Sequence, residues 1–157
     1  MHAIIFYYTL SGTTKMVAEA IVKELNCEIE AIVDTQKRTG AIGFIRSGYQ
    51  ALKERITTLE PLKSDPATFE LVLIGTPVWA GRISVPARTF IVQNKEKLKE
   101  VAFFFTSGGK GNEQKIFPAM EQLCGKKPRA TLGVTSAECK KELYLEKVKD
   151  LTKAIKS

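Results

Sequence analysis

The sequence predicts an α/β protein built as a three-layer sandwich, with helices on both faces of a five-stranded parallel sheet. Strand-like and helix-like segments alternate along the chain, which is the order that parallel strands with crossover helices require. Three strand-like segments, at residues 4–6, 71–74 and 101–105, are continuous apolar runs. Such runs are typical of parallel strands buried on both faces. The length of 157 residues suits one domain, and we expect a single domain over residues 1–157.

The individual elements follow from the spacing of the apolar residues. Strands are predicted at residues 3–8, 28–33, 69–75, 101–106 and 130–134. Amphipathic helices are predicted where apolar residues recur every three or four positions, at residues 17–25, 116–124 and 144–155. A further helix is expected to begin near Ser84, because a capping residue there precedes Pro86. Residues 41–58 also have a partly helical pattern, with an apolar side made of Phe44, Ile45, Tyr49 and Leu52.

Composition argues against several classes of protein. No apolar run reaches the roughly 18 residues that a membrane span needs. The strand-like start lacks the basic segment and cleavage site of a signal peptide, so we expect a soluble cytoplasmic protein. The three cysteines form no CxxC pair, which argues against a disulfide framework and a structural metal site. The only histidine, His2, stands at the start of a strand, where a catalytic triad is not expected.

The net charge of +7 lies mostly late in the chain: residues 1–50 are balanced, residues 51–100 contribute +2, and residues 101–157 contribute +5. A basic protein can attract nucleic acid, a membrane surface or an acidic protein. No basic stripe interleaved with aromatic residues accompanies the charge, so we expect a solvated surface and no nucleic-acid binding.

In a doubly wound sheet, ligands bind beyond the carboxyl ends of the strands, where the winding direction switches. The first loop at that end consists of Thr9, Leu10, Ser11, Gly12, Thr13 and Thr14. Its hydroxyls and the free N–H groups of a helix start suit the three oxygens of a phosphate monoester. The glycine spacing is neither that of a P-loop nor that of a dinucleotide-binding turn. The alternative is a serine- and threonine-rich capping turn.

Two further loops follow buried strands. The second consists of Thr76, Pro77, Val78, Trp79, Ala80, Gly81 and Arg82, and it contains the only tryptophan, which we expect to stack on a planar ligand. The third contains Ser107, Gly108, Gly109, Lys110 and Gly111, whose glycines permit close approach of the backbone to a flat ring. The alternatives are a tryptophan folded over the sheet edge and a flexible turn. Together the three loops predict a site for a mononucleotide with an aromatic head.

These residues resemble the flavodoxin family over nearly the whole chain. The first segment matches in Ile5, Phe6, Tyr7, Thr9, Gly12, Thr14, Ala18 and Ile21, and residues 76–81 resemble the second flavin loop, where a tryptophan packs against the isoalloxazine ring. The resemblance implies the strand order 2-1-3-4-5 and non-covalently bound FMN as cofactor. The short link between Val134 and the last helix implies a short-chain member.

The sequence departs from that family in two ways. The third loop has no aromatic residue, so the outer face of the ring is expected to be open or covered by Phe44 or Tyr49. Flavodoxins that carry electrons are usually acidic, but this chain is basic. Its charge favours acidic redox partners. The missing aromatic residue favours a reductase, but the small size and the lack of a recognisable nicotinamide site favour an electron-transfer protein, which we expect. The alternatives are an FMN-dependent reductase that uses NAD(P)H or a quinone, and a binding module without cofactor.

Overall fold

The computed structural model describes residues 1–157 and contains five parallel strands in one sheet. They are β1 (Ala3–Tyr7), β2 (Glu28–Ala31), β3 (Leu71–Trp79), β5 (Glu100–Ser107) and β6 (Thr131–Thr135). The two-residue strand β4 (Arg82–Ile83) pairs antiparallel with the end of β3. The order across the sheet is β2-β1-β3-β5-β6. Since β4 lies off this path, the five parallel strands stand in the predicted order, and that prediction is confirmed.

Six helices cover the sheet: α1 (Thr13–Leu25), α2 (Gly40–Leu52), α3 (Val85–Asn94), α4 (Glu113–Cys124), α5 (Ser136–Lys140) and α6 (Tyr144–Lys156). Single turns of 3-10 helix occur at Pro66–Thr68 and Lys95–Lys97. Ser84 caps α3 as expected, because its Oγ accepts a hydrogen bond from the Ala87 N–H, and Pro86 occupies the first turn. No helix is both long and apolar enough to cross a membrane.

Two hydrophobic cores form, one on each face of the sheet. Alternate residues of β1 enter different cores: Ile5 packs on the side of α1 and α6, and Ile4 on the side of α3 and α4. All five residues of β1 are buried, as the apolar run predicts. Burial on both faces requires a helical layer on each side, which is why the alternating pattern of strands and helices produces three layers.

The segment predicted as the second loop is not a loop. Strand β3 continues through residues 76–79. Thr76 and Pro77 still pair with β5, whereas residues 78 and 79 form a hairpin that turns back through Ala80 and Gly81 into β4. Both turn residues have positive φ, 49° at Ala80 and 72° at Gly81, as a tight two-residue hairpin requires. Trp79 therefore belongs to a strand and pairs with Arg82 across the hairpin. Period-2 patterning did not predict this extension, because Thr76 and Pro77 resemble a strand end.

Helix α2 does not bury its apolar side. Its buried residues are Gly43, Ser47 and Ala51, whereas Phe44, Ile45, Tyr49 and Leu52 are exposed. Gly43 permits the close approach, because a Cβ there would lie 2.5 Å from the carbonyl carbon of Arg38. The small residues thus pack inward, and the large apolar residues face solvent.

Candidate functional site

Segments from all three predicted loops meet at the carboxyl end of the sheet and enclose a cavity of about 290 Å³. Ten of the predicted site residues line it: Thr9, Leu10, Ser11, Thr13, Thr14, Pro77, Val78, Trp79, Ser107 and Gly108. Its other lining residues are Phe44, Thr106 and Ser136. No carboxylate lines this cavity, which we call the first cavity, so no charged side chain in its wall repels an anion.

The first loop presents unpaired backbone donors to the cavity. Gly12 is the N-cap residue of α1 and has a φ of 97°. Its N–H donates to Thr9 Oγ1 at 3.0 Å. No side chain caps α1, and the N–H groups of Thr13 and Thr14 have no acceptor in the protein. Free N–H groups and the positive end of the helix dipole make such a helix start a ready site for an anion.

The hydroxyls of the first loop are arranged differently from the sequence-based expectation. Thr14 is almost fully buried, and its Oγ1 lies 2.7 Å from Oγ1 of Thr106 at the end of β5. In such a pair one hydroxyl donates to the other, which leaves one proton free for a ligand. The Thr14 hydroxyl is therefore paired with a residue near the carboxyl end of β5. Ser11 and Thr13 are more open, with their hydroxyl oxygens 3.4 Å apart.

Trp79 is held by contacts on two sides. The Tyr8 ring meets it edge-on, with centroids 5.5 Å apart and an interplanar angle of 87°. The guanidinium carbon of Arg38 lies over its ring, 5.2 Å from the centroid. Burial, with a smaller effect from Asp34, raises the pKa of the Tyr8 phenol above its usual value. Tyr8 therefore stays neutral and packs as an aromatic group beside the indole.

Arg38 ties this region to α2. Its buried guanidinium forms an ion pair with Asp34 and donates hydrogen bonds to Ser47 Oγ and to Gln50 Oε1. Because both acceptors lie on α2, Arg38 links the indole to the helix above it. The sequence analysis did not identify Arg38, since an arginine among polar residues resembles any solvated cation. Its role follows only from its burial in the fold.

The third loop folds back on itself. Ser107 Oγ donates to the Gly109 carbonyl at 2.6 Å, and Asn112 Nδ2 donates to the same carbonyl at 3.3 Å. Ser136 Oγ, beyond the end of β6, donates to the Ser107 carbonyl at 3.3 Å. Only Ser107 and Gly108 of the predicted residues in this loop reach the cavity. The loop is a turn closed by its own hydrogen bonds, and its tip at residues 109–111 does not line the cavity.

Eight predicted site residues do not line the first cavity: Gly12, Thr76, Ala80, Gly81, Arg82, Gly109, Lys110 and Gly111. Thr76 is buried, where its hydroxyl donates to the Pro77 carbonyl and accepts from the Ser84 N–H. Thr76 therefore links β3 to the start of α3. Thr106 and Ser136, which the candidate site omitted, stand at the ends of β5 and β6. Their positions at the carboxyl ends of buried strands could have identified them from the sequence.

A second, more apolar cavity of about 520 Å³ adjoins the first. It lies between α2 and the β3–β4 hairpin, and eight of its ten lining residues are hydrophobic. The two cavities share Leu10, Phe44, Val78 and Trp79. Ala80 lines this second cavity only. A cavity beside the unpaired N–H donors of α1 thus continues into an apolar cavity walled by aromatic rings.

Comparisons of sequence gave no match to a protein-family model or to a curated protein. Solved structures do match. A flavoprotein from Lactobacillus acidophilus NCFM, determined in complex with FMN, is 27% identical with a TM-score of 0.73, over 89% of this chain and 97% of that chain. The two-electron reduced flavodoxin of Megasphaera elsdenii is 16% identical with a TM-score of 0.60, over 96% and 98%. The oxidised flavodoxin 2 of Bacillus cereus is 16% identical with a TM-score of 0.62, over 98% and 97%.

Proposed function

We propose that this chain, a flavodoxin-like protein, binds FMN without a covalent bond and uses it to carry electrons. One observation carries the proposal: unpaired N–H donors at the start of α1 face a cavity that has an indole ring in its wall and no carboxylate. These groups fit the two ends of FMN, because the donors suit a dianionic phosphate and the aromatic wall suits a planar ring.

The phosphate would be held at the first loop. The N–H groups of Thr13 and Thr14 donate to its oxygens, and the Ser11 hydroxyl is open to add a further bond. Hydrogen bonds to a charged acceptor contribute about 1.5–3 kcal/mol each. Lys15 stands in the first turn of α1 but is exposed and lies 3.8 Å from Glu19, so the proposal assigns it no contact with the phosphate.

The flavin ring would lie against Trp79, with Phe44 covering part of the opposite face. Arg38 already occupies one side of the indole, so stacking uses the remaining side. Ser107 and Gly108 offer backbone groups at the ring edge. FMN supplies the redox chemistry, because it accepts and donates one or two electrons. The chain's own residues bind it, orient it and limit its contact with water.

A specific observation favours a second candidate function, an FMN-dependent reductase that uses NAD(P)H or a quinone. The third loop has no aromatic residue, and the apolar second cavity lies directly beside Trp79 and Phe44. A second planar molecule could enter there and meet the ring. The carrier remains our first choice, because no nicotinamide site is recognisable and fold alone does not decide function. Its partners would be redox proteins, with acidic docking surfaces matched to the basic chain.

The test starts with the absorption spectrum of the purified protein and a titration of the apoprotein with FMN. We expect a yellow protein and binding of one FMN per chain. Anaerobic mixing with NADH and with NADPH then separates the two candidates. Slow or absent reduction supports the carrier, whereas rapid reduction by either nucleotide supports the reductase. Failure of the apoprotein to bind FMN would overturn both.

A further inference from the structure

Helix α2 carries a stripe of exposed apolar side chains on its outer side. The most exposed are Ile42 at 75%, Phe44 at 74% and Ile45 at 70%. Tyr49, Leu52 and Ile56 are each more than half exposed. We define the apolar stripe as Ile42, Ile45, Tyr49 and Leu52, which recur at spacings of three and four residues along α2, together with Ile56, which lies four residues beyond the end of the helix. Contiguous exposed apolar patches mark sites of interaction.

The stripe faces outward because the inner side of α2 is already occupied. Gly43, Ser47 and Ala51 pack against the protein, and Gly43 leaves no room for a side chain. The Arg38 guanidinium, bonded to Ser47 and Gln50, holds that side in place. Turning the helix to bury the stripe would break these bonds and remove a close backbone contact, so the outward orientation is built into the fold.

Cations without partners surround the stripe. Lys37 precedes α2, Arg46 lies on it, and Lys53 and Arg55 follow it; all four are exposed, and none forms an ion pair within the protein. The only carboxylate in residues 37–56 is that of Glu54, which lies 4.0 Å from Arg88. The whole-chain balance hides this local excess, because residues 1–50 together are neutral.

We propose that the apolar stripe and its cations seat this protein on an anionic lipid surface. A basic amphipathic helix is suited to lie in the plane of a bilayer interface, with its apolar side among the acyl chains and its cations at the headgroups. A second copy of the chain suits this surface less, because it would bring the same unpaired cations together. Lys53 follows the pattern of an interfacial lysine, with its ammonium 5.9 Å from the Tyr49 ring centre.

The orientation would turn the second cavity toward the lipid. Ile45, Tyr49 and Leu52 belong both to the stripe and to the lining of that cavity. Binding of α2 to the bilayer would place this cavity beside the acyl chains. The binding itself uses the stripe and its cations and does not require FMN. The lipid proposal can fail while FMN binding stands, because the two are measured by different readouts.

The test is sedimentation of the purified flavin-loaded protein with vesicles. We expect binding to phosphatidylcholine vesicles that contain about 30% phosphatidylglycerol, little binding to pure phosphatidylcholine, and release by high salt. The variant Ile42→Glu/Ile56→Glu changes stripe residues that line neither cavity. We expect it to bind the anionic vesicles about tenfold more weakly than the native chain.

A matched control is Leu143→Glu/Leu145→Glu, which adds the same charge at exposed leucines near the start of α6. We expect this control to keep most of its binding to the anionic vesicles. Circular dichroism and flavin content check that both variants fold. Equal losses in the two variants, or no binding to anionic vesicles, would overturn the proposal. A dimer that the stripe variant alone dissociates would also overturn it and would assign the stripe to contact between copies of the chain.

Discussion

The Arg38 guanidinium carbon lies 5.2 Å from the centre of the Trp79 indole ring, while the same guanidinium is paired with Asp34 and bonded to α2. A buried cation over an indole stabilises both groups by about 2 kcal/mol or more when desolvated. The contact fixes one side of Trp79 and connects it to the helix that carries Phe44. The position of the candidate ring site therefore depends on a residue that does not line it.

Replacing Arg38 by methionine should destabilise the fold strongly. The side chains of Arg38 and Asp34 are each only 2% exposed, so the variant leaves a buried carboxylate without its cation. We expect a loss of about 3–5 kcal/mol in the free energy of unfolding, measured by urea denaturation. The control Arg46→Met removes an exposed arginine from α2 and should change stability by less than about 0.5 kcal/mol. Similar losses in both variants would show that the Arg38 network contributes little.

The first loop should distinguish FMN from riboflavin, which lacks the phosphate. Ser11→Ala combined with Thr14→Ala removes the open hydroxyl and one member of the hydroxyl pair with Thr106. We expect FMN affinity to fall by about tenfold or more, because each charge-assisted bond contributes about 1.5–3 kcal/mol. Riboflavin affinity should stay near that of the native chain. The two dissociation constants come from fluorescence titration, and an equal loss for both ligands contradicts phosphate binding at this loop.

Trp79 should report directly on the ring. It is the only tryptophan, so the indole emission of the protein comes from a single position. Addition of FMN to apoprotein should quench that emission strongly, and Trp79→Ala should weaken FMN binding by about 1 kcal/mol or more. Tyr8→Phe is a suitable companion variant, since it keeps the aromatic edge against the indole and should leave affinity nearly unchanged. Unchanged emission at saturating FMN would exclude stacking.

The cations near the hairpin and the third loop should affect the midpoint potential of the bound flavin. Reduction adds negative charge to the ring, and a nearby cation stabilises that form. Arg82 pairs with Trp79 and is partly buried, whereas Lys110 is exposed. We expect Arg82→Gln to lower the potential by the equivalent of up to about 1 kcal/mol, and Lys110→Gln by less.

A redox titration compares these two variants with Lys126→Gln, which changes a cation in the link before β6. The neighbouring Arg129 donates to Glu100 at the start of β5, so this link lies at the opposite end of the sheet from the candidate site. No change is expected from Lys126→Gln. If all three variants keep the native potential, the basic charge of the chain acts only as a solvated surface.

The cysteine thiols should be unreactive at neutral pH. Burial raises the pKa of Cys27 to about 11, and it also raises the pKa values of Cys124 and Cys139. Because the thiolate is the nucleophile, alkylation of the folded protein at pH 8 should be about a hundredfold slower than that of the urea-unfolded chain. The rate in the folded state should rise as the pH increases toward 11. Equal rates in the folded and unfolded states would contradict this burial.

The parallel sheet and the end of the sheet that holds the candidate site could be predicted because they rest on local patterns. The apolar runs at β1, β3 and β5 require burial on both faces, and that requirement leads to helices on either side and to loops gathered at one end. The hydroxyl-rich start of α1 was likewise visible, since a helix start always leaves N–H groups without partners. These features depend on residues close together in the chain.

Contacts between distant segments decided what the sequence could not. The hydroxyl pair of Thr14 and Thr106 joins residues 92 positions apart, and no local pattern connects them. The apolar pattern of α2 identified an apolar side, but Gly43 and the Arg38 bonds place the small residues inward and the large ones outward. Periodicity indicates that a helix has an apolar and a polar side, but packing against Arg38 and Trp79 determines which side is buried. The sequence alone determined the fold and the end of the sheet where the site lies, whereas tertiary packing determined its walls and the exposed stripe.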